Sequence, residues 1–207
     1  MTSIRTFIAI ELSTEARTAL TDLQNRLKTI VPPRSVRWTV PQNIHLTLHF
    51  LGDVDTNDVE KISAVLDEAT LAGPPFSLTL ERLGCFPNIS RPRIVWVGIS
   101  GETETLLVLH LDLGKRLQAA IGFSPDSRPY SPHLTIGRTK KGLPARHLKQ
   151  LSQALQQEQG NIGHLAPLPV TEIRLIKSEL KPTGPVYTPL SRASLTPPSN
   201  EKSANSI

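Results

Sequence analysis

The sequence predicts an α+β fold in which antiparallel sheets pack against helices. Segments with strand periodicity occur in groups rather than alternating singly with helices, and the helical segments carry apolar residues at spacings of three and four. The pattern His-Leu-Thr-aliphatic also occurs twice, starting at residues 45 and 133, as expected of two related halves. With 207 residues, the chain is long enough to form one large domain or two small lobes around a sizeable core.

The first part of the chain is predicted as strand, helix, two strands and helix. Residues 4–12 form an apolar strand. An amphipathic helix follows, because apolar residues recur along one face at Ala16, Leu20, Leu23, Leu27 and Ile30. Two consecutive prolines end this helix. The next elements are two strands and a second helix, at residues 36–40, 44–51 and 59–69.

The second part repeats these element types. A long helix is indicated by its apolar stripe, which consists of Leu106, Leu109, Leu113, Leu117 and Ile121. A further helix is predicted over 145–157, and strands are predicted at 76–83, 93–99, 131–137, 170–180 and 186–192. We therefore expect a single domain over residues 1–195. Residues 196–207 have no apolar pattern and are expected to form a flexible C-terminal tail.

The charge of the chain indicates the kind of partner it meets, and its composition excludes several classes of protein. The net charge of +5 and the pI near 9.6 favour encounter with polyanions, such as nucleic acid or a phosphorylated metabolite. The single cysteine, Cys85, supports neither a disulfide framework nor a zinc finger. The apolar run at the start is too short for a signal peptide or a membrane span, so we expect a cytoplasmic protein without membrane association.

The repeated pattern places pairs of polar side chains on strands. In HLTLHFLG, which starts at His45, polar and apolar residues alternate, so His45 and Thr47 are predicted on one face and the aliphatic residues on the other. By the same alternation His49 joins the polar face and Phe50 the apolar face. In SPHLTIGR, His133 and Thr135 repeat the arrangement, with the aliphatic residues again facing the core.

If the two halves pack about a pseudo-two-fold axis, the two strands line one cleft. Two histidines facing a substrate can supply an acid and a base, and two threonines can donate hydrogen bonds to phosphate oxygens. This combination indicates phosphoester chemistry. Arg138 follows the second motif and is a candidate contact for phosphate, but simple alternation points it away from His133 unless the strand twists or bulges at Gly137.

We expect neither a metal nor another cofactor at these residues. Along an extended strand, His45 and His49 are separated by roughly 13 Å, too far to chelate one ion. The two motifs also contain no carboxylate or thiolate that would complete a site built from His45 and His133.

The paired motifs and their flanking segments resemble the two-histidine phosphoesterases, and specifically the bacterial and archaeal RNA 2′,3′-cyclic phosphodiesterases, also described as 2′-5′ RNA ligase-like. The matching stretches are TFIAIEL, RWTVPQNIHLTLHFLGDV, SPHLTIGR and LIKSELKPTGPVYTPL. The resemblance implies a bilobal fold, with two pseudo-symmetric halves around a central cleft and helices on the outside. It also implies hydrolysis of a 2′,3′-cyclic phosphate to a 2′-phosphomonoester, with His45 as proton donor and His133 as proton acceptor.

Two alternatives remain open from the sequence. A reversible 2′-5′ RNA ligase, or a related cyclic phosphodiesterase, would use the same cleft. A noncatalytic RNA-binding module would use the basic surface, with the histidines only contacting phosphate. The paired acid and base favour an enzyme. The expected partner is RNA or an oligonucleotide with a 2′,3′-cyclic phosphate end, bound by a monomer.

Overall fold

The computed structural model describes residues 2–71, 73–182 and 184–196. Within these ranges the chain forms four α-helices: α1 Thr14–Ile30, α2 Val59–Leu71, α3 Thr103–Ile121 and α4 Ala145–Gln159. It also forms nine β-strands: β1 Ser3–Glu11, β2 Val36–Trp38, β3 His45–Asp55, β4 Phe76–Phe86, β5 Ile94–Gly101, β6 His133–Thr139, β7 His164–Val170, β8 Glu172–Lys181 and β9 Gly184–Ser194.

The strands form two antiparallel sheets, which confirms the predicted α+β class. The first sheet has the order β3-β1-β8-β9, and the second has the order β2-β6-β5-β4-β7. The sheets are not built from consecutive halves of the sequence. Strand β2 crosses into the second sheet, and β8 and β9 return to the first, so each sheet joins segments from both ends of the chain.

Two helices likewise pack against a different sheet from the one that contains the preceding strand. Helix α1 follows β1 of the first sheet but packs on the second sheet, where it contacts β7 and lies beside α4. Helix α3 follows β5 of the second sheet but contacts β3 of the first. The buried apolar faces of all four helices and both sheets join in one continuous core. Burial of this apolar surface therefore ties the two sheets together.

Local sequence explains the helix boundaries. The hydroxyl of Ser13 accepts a hydrogen bond from the backbone N–H of Ala16 at 3.1 Å and caps the start of α1. The prolines after Val31 cannot continue that helix. Helix α3 ends at Gly122, which adopts a left-handed conformation with φ of 68°.

One strand is missing from the predicted order. The strand expected over 170–180 is preceded by a separate strand, β7, which the sequence pattern did not indicate. Two prolines, Pro167 and Pro169, obscured it. Proline is tolerated there because β7 lies at the edge of its sheet and pairs only with β4.

The expected C-terminal tail begins at Thr196, and its remaining residues, 197–207, lie outside the described part of the chain. In the described part, none of the helices combines the length and apolar composition needed to cross a membrane.

The second sheet contains a site where only glycine fits. A Cβ atom at Gly84 in β4 would lie 2.2 Å from the indole of Trp96 in the paired strand β5. The absence of a side chain at Gly84 lets this indole lie flat across the sheet. Trp96 in turn lies near His133, with ring centroids 6.4 Å apart.

We expect Gly84→Ala to lower the free energy of unfolding by about 1–3 kcal/mol, because the added methyl group must displace the Trp96 indole. Gly163→Ala is the matched control, since a Cβ there meets nothing within 4 Å. It should change the stability by less than about 0.5 kcal/mol. Chemical denaturation of both variants measures the difference. Equal stabilities would contradict the tight packing.

Candidate active site

The two motif strands belong to different sheets but lie close to each other. Strand β3 starts at His45 and β6 starts at His133. In both strands the histidine and the threonine two residues later are half-buried, whereas the intervening and following aliphatic residues are buried. The predicted alternation is therefore confirmed over the first four residues of each motif.

Each motif strand then contains a β-bulge at its fourth residue. Along β3, Thr47 pairs with Ala9 and His49 with Ile8, so that Leu48 is left unpaired. Along β6, Thr135 pairs with Trp96 and Gly137 with Val95, so that Ile136 is left unpaired. One extra residue moves the side chains that follow it to the opposite face of the strand, up to the next irregularity in the pairing.

The bulge in β6 determines on which face of the strand the side chain of Arg138 lies. After the unpaired Ile136, Arg138 returns to the face that carries His133 and Thr135, and it is exposed. The electrostatic effect of Arg138 on a neighbouring side chain supports this placement. The charge of Arg138 acts on the hydroxyl of Tyr187, which belongs to the first sheet beside His45. Arg138 thus faces across from one sheet toward the other.

The bulge in β3 overturns two expectations. His49 was predicted on the face of His45, but it is buried, with its imidazole stacked on that of His110 at 4.2 Å between ring centroids. Phe50 was predicted on the apolar face, but it is 52% exposed, and the guanidinium of Arg5 lies 4.8 Å from its ring centroid. Both differences follow from the unpaired Leu48, which strict alternation cannot anticipate.

Both motif histidines are held by the same hydrogen bond. The Nδ1–H of His45 donates to the carbonyl of Asn43 at 3.0 Å, and the Nδ1–H of His133 donates to the carbonyl of Ser131 at 2.7 Å. Since a carbonyl oxygen only accepts, the hydrogen must be on Nδ1 in each ring. Neither Nε2 has a hydrogen-bond partner among the residues that the structure describes, so each is available to a substrate.

Aromatic side chains form the walls around the two imidazoles. His45 stacks on the buried ring of Phe7 at 4.5 Å, and the edge of Tyr187 lies 5.3 Å away. His133 meets Phe86 edge-on at 4.9 Å. Sequence reasoning missed Tyr187, Phe86 and Trp96 as parts of the site. They come from distant strands, and no local pattern marks them.

Burial controls the protonation of His45. It lowers the pKa of His45 to about 4; the bond to the Asn43 carbonyl opposes this shift in part, and the charge of Arg17 adds to it. His45 is therefore neutral at pH 7 in the ligand-free protein. Burial also raises the pKa of Tyr187, with the charges of Arg138 and Arg5 acting in the opposite direction.

A pocket of about 220 Å³ opens beside His45. Its lining includes one acidic and one basic side chain, two amides and a phenol, namely Glu11, Arg17, Gln42, Asn43 and Tyr187. A polar pocket next to the imidazole suits a substrate that extends beyond the reacting group.

The described residues give less support to metal chemistry or to a catalytic thiol. Across 2–71, 73–182 and 184–196 there is no group of three or more His, Cys, Asp or Glu side chains placed to hold a metal ion. Cys85 is buried, and burial raises the pKa of its thiol to about 12. The thiol is thus protonated at neutral pH and is not an activated nucleophile.

Comparison with known proteins agrees with this geometry. The family model described as "LigT like Phosphoesterase" matches residues 10–96 and 98–187. A protein of Methanothermobacter thermautotrophicus named RNA 2′,3′-cyclic phosphodiesterase is 34% identical over 185 residues, covering 89% of this chain and 95% of that protein. A Thermus thermophilus protein of the same name is 32% identical over 197 residues, covering 93% and 90%.

Solved structures give the same result. A crystal structure of a Thermus thermophilus protein matches with a TM-score of 0.75 and 28% identity, over 93% of this chain and 98% of that one. The crystal structure of E. coli LigT complexed with 3′-AMP matches with a TM-score of 0.73 and 27% identity, over 95% and 100%. With its paired motifs on two facing strands, the chain belongs to the LigT-like phosphoesterases of the two-histidine superfamily.

Proposed function

We propose that this protein hydrolyses RNA 2′,3′-cyclic phosphate ends to 2′-phosphomonoesters. The observation that carries the proposal is the duplicated arrangement of His45 with Thr47 and of His133 with Thr135, in which each imidazole keeps Nε2 free. The name RNA 2′,3′-cyclic phosphodiesterase, shared by the curated relatives, agrees with it.

The proposed reaction is an in-line displacement at phosphorus. Nε2 of His133 accepts a proton from water as the water oxygen bonds to phosphorus. The bond from phosphorus to the 3′ oxygen breaks on the opposite side, and Nε2–H of His45 donates a proton to that oxygen. The phosphate stays on the 2′ oxygen, and the two histidines end with their protonation states exchanged.

The remaining polar groups bind the phosphate. The hydroxyls of Thr47 and Thr135 are suited to donate hydrogen bonds to its nonbridging oxygens. The guanidinium of Arg138, on the same face as His133, supplies the positive charge that opposes the charge on these oxygens. These groups stabilise the transition state more than the substrate as the negative charge increases.

In this mechanism, His45 becomes protonated when the substrate binds. Burial keeps His45 neutral in the free protein at pH 7, whereas a proton donor must be charged. An anionic phosphodiester bound beside the ring favours the imidazolium and raises its pKa. Substrate binding is therefore coupled to proton uptake, and His45 is charged only when there is a leaving group to protonate.

The RNA end is the substrate favoured by the surroundings of the cleft. Phe50 is exposed on the face of His45, and Arg5 lies over its ring, which suits stacking with a single-stranded base. Both motifs lie in one chain, so the proposed site needs no second copy, and we propose that the protein acts as a monomer. We place this activity in the cytoplasm, where RNA ends are available as substrates.

Turnover of a nucleoside 2′,3′-cyclic phosphate tests the proposal directly. The wild-type protein should release a nucleoside 2′-phosphate, and His45→Ala or His133→Ala should each lower kcat about 100-fold or more. Phosphorus NMR identifies the product. A nucleoside 3′-phosphate would mean that the ribose binds in the opposite orientation, and absence of turnover would overturn the proposed activity. Joining of RNA ends without hydrolysis would favour the ligase alternative.

Proton uptake tests the role of His45. We expect His133→Ala protein at pH 7 to take up protons on binding a nucleoside 2′,3′-cyclic phosphate, because the bound anion raises the pKa of His45 from about 4. Calorimetry in buffers of different ionisation enthalpy measures the uptake, and ¹⁵N NMR reports the protonation of His45. The double variant with His45→Ala should lose the uptake. A His45 that stays neutral in the complex would exclude it as the proton donor.

A further inference from the structure

The two bulges share a feature that the proposed mechanism does not use. The carbonyl of each bulge residue accepts a hydrogen bond from a helix side chain. The Nε2–H of Gln24 on α1 donates to Ile136 at 2.9 Å, and the Nδ1–H of His110 on α3 donates to Leu48 at 3.1 Å. The bonds therefore occur at equivalent positions of the two motif strands.

The bonds connect elements from different halves of the sequence. Helix α1 follows β1 of the first sheet, yet Gln24 binds β6 of the second. Helix α3 follows β5 of the second sheet, yet His110 binds β3 of the first. Each half of the protein thus holds the motif strand of the other half at its bulge.

Gln24 is buried, with 1% of its surface exposed. Its second amide hydrogen donates to the carbonyl of Thr39 at 2.8 Å, and the N–H of Thr39 donates to the carbonyl of Ile136 at 2.9 Å. A buried amide is costly unless it is hydrogen-bonded, and here both carbonyl acceptors lie within reach. The Gln24 amide and the Thr39 N–H thus both donate to the carbonyl of Ile136 and hold the backbone of the bulge in β6.

This position determines where Arg138 points. Only the unpaired Ile136 returns Arg138 to the face of His133; a regular strand would place it on the opposite face. The side chain of Arg138 is exposed, and its guanidinium makes no hydrogen bond within the described residues, so the backbone beneath it fixes its starting direction. A shift of the bulge would move the guanidinium relative to the phosphate.

We propose that Gln24 is a positioning residue that holds the Ile136 bulge and thereby directs Arg138 toward the phosphate. The inference rests on the proposed function, because it names the part that Gln24 has in the same site. Gln24 itself does not touch the substrate. Its effect should therefore pass through Arg138, which separates it from a residue that only supports the fold.

A double-mutant cycle measures that dependence with a nucleoside 2′,3′-cyclic phosphate as substrate. Gln24→Met keeps the side-chain volume and removes the donor. It should lower kcat/KM about tenfold in the wild-type background, since small misplacement of a catalytic group is costly. In the Arg138→Ala background the same change should cost less than about twofold. Equal losses in both backgrounds, or no loss in either, would overturn the inference.

Two matched variants separate position from stability. Leu23→Ala, at the neighbouring buried residue of α1, should lower the melting temperature without coupling to Arg138→Ala. His110→Phe removes the equivalent donor from the other bulge, and its effect should add to that of Arg138→Ala. Coupling of the same size for either control would show a general effect of destabilisation. If Gln24→Met fails to fold, Gln24→Asn, whose amide is one methylene short, takes its place in the cycle.

Binding of inorganic phosphate to the four proteins of the cycle gives a reading that does not need turnover. The affinity should fall for Gln24→Met in the wild-type background and not in the Arg138→Ala background. If the wild-type protein binds phosphate with this coupling but does not hydrolyse the cyclic substrate, the proposed function fails and the positioning role stands. Additive losses in phosphate affinity would overturn the positioning role whatever the activity.

Discussion

The hydrogen bond from each motif histidine to the carbonyl two residues earlier is the constraint on which the site depends. Because His45 and His133 both place their hydrogen on Nδ1, both present Nε2 to the substrate, as a lone pair when neutral and as a donor when charged. The two rings are thus chemically equivalent in their bonding, and their surroundings make them different. Burial against Phe7 and Tyr187 lowers the pKa of His45 and keeps the ring neutral at pH 7 in the free protein. In the proposed reaction the ring gains its proton when the anionic substrate binds.

The interleaved sheets oppose separation of the two motif strands. If each half of the sequence formed its own lobe, the two motif strands could separate by a hinge motion. Instead β2, β8 and β9 exchange between halves, and α1 and α3 pack on the opposite sheets. Tyr130, which lies three residues before His133, donates to the carbonyl of Thr47 at 3.0 Å and joins the two motifs directly. Separating the strands would therefore disrupt the common core as well as this bond.

The features of the fold and of the site that could be predicted are those that local sequence patterns encode. The alternation around His45 and His133 predicted which side chains of the two motifs are half-buried and which are in the core, because strand periodicity depends only on the nearest residues. The exposure of Phe50, the burial of His49 and the direction of Arg138 could not be predicted, since a bulge is visible only in the pairing with a neighbouring strand. Strand β7 was missed for a related reason: its prolines are compatible with a strand only at a sheet edge.

The central claim is that the two equivalent imidazoles act in opposite protonation states on opposite sides of one phosphate. A cyclic substrate in which sulfur replaces the 3′ oxygen tests this most directly, because a thiolate departs with little need for a proton. His45→Ala should recover most of the wild-type rate with this substrate, whereas His133→Ala should remain as slow as with oxygen. Recovery of the His133→Ala variant instead would assign the proton donor to His133 and contradict the account.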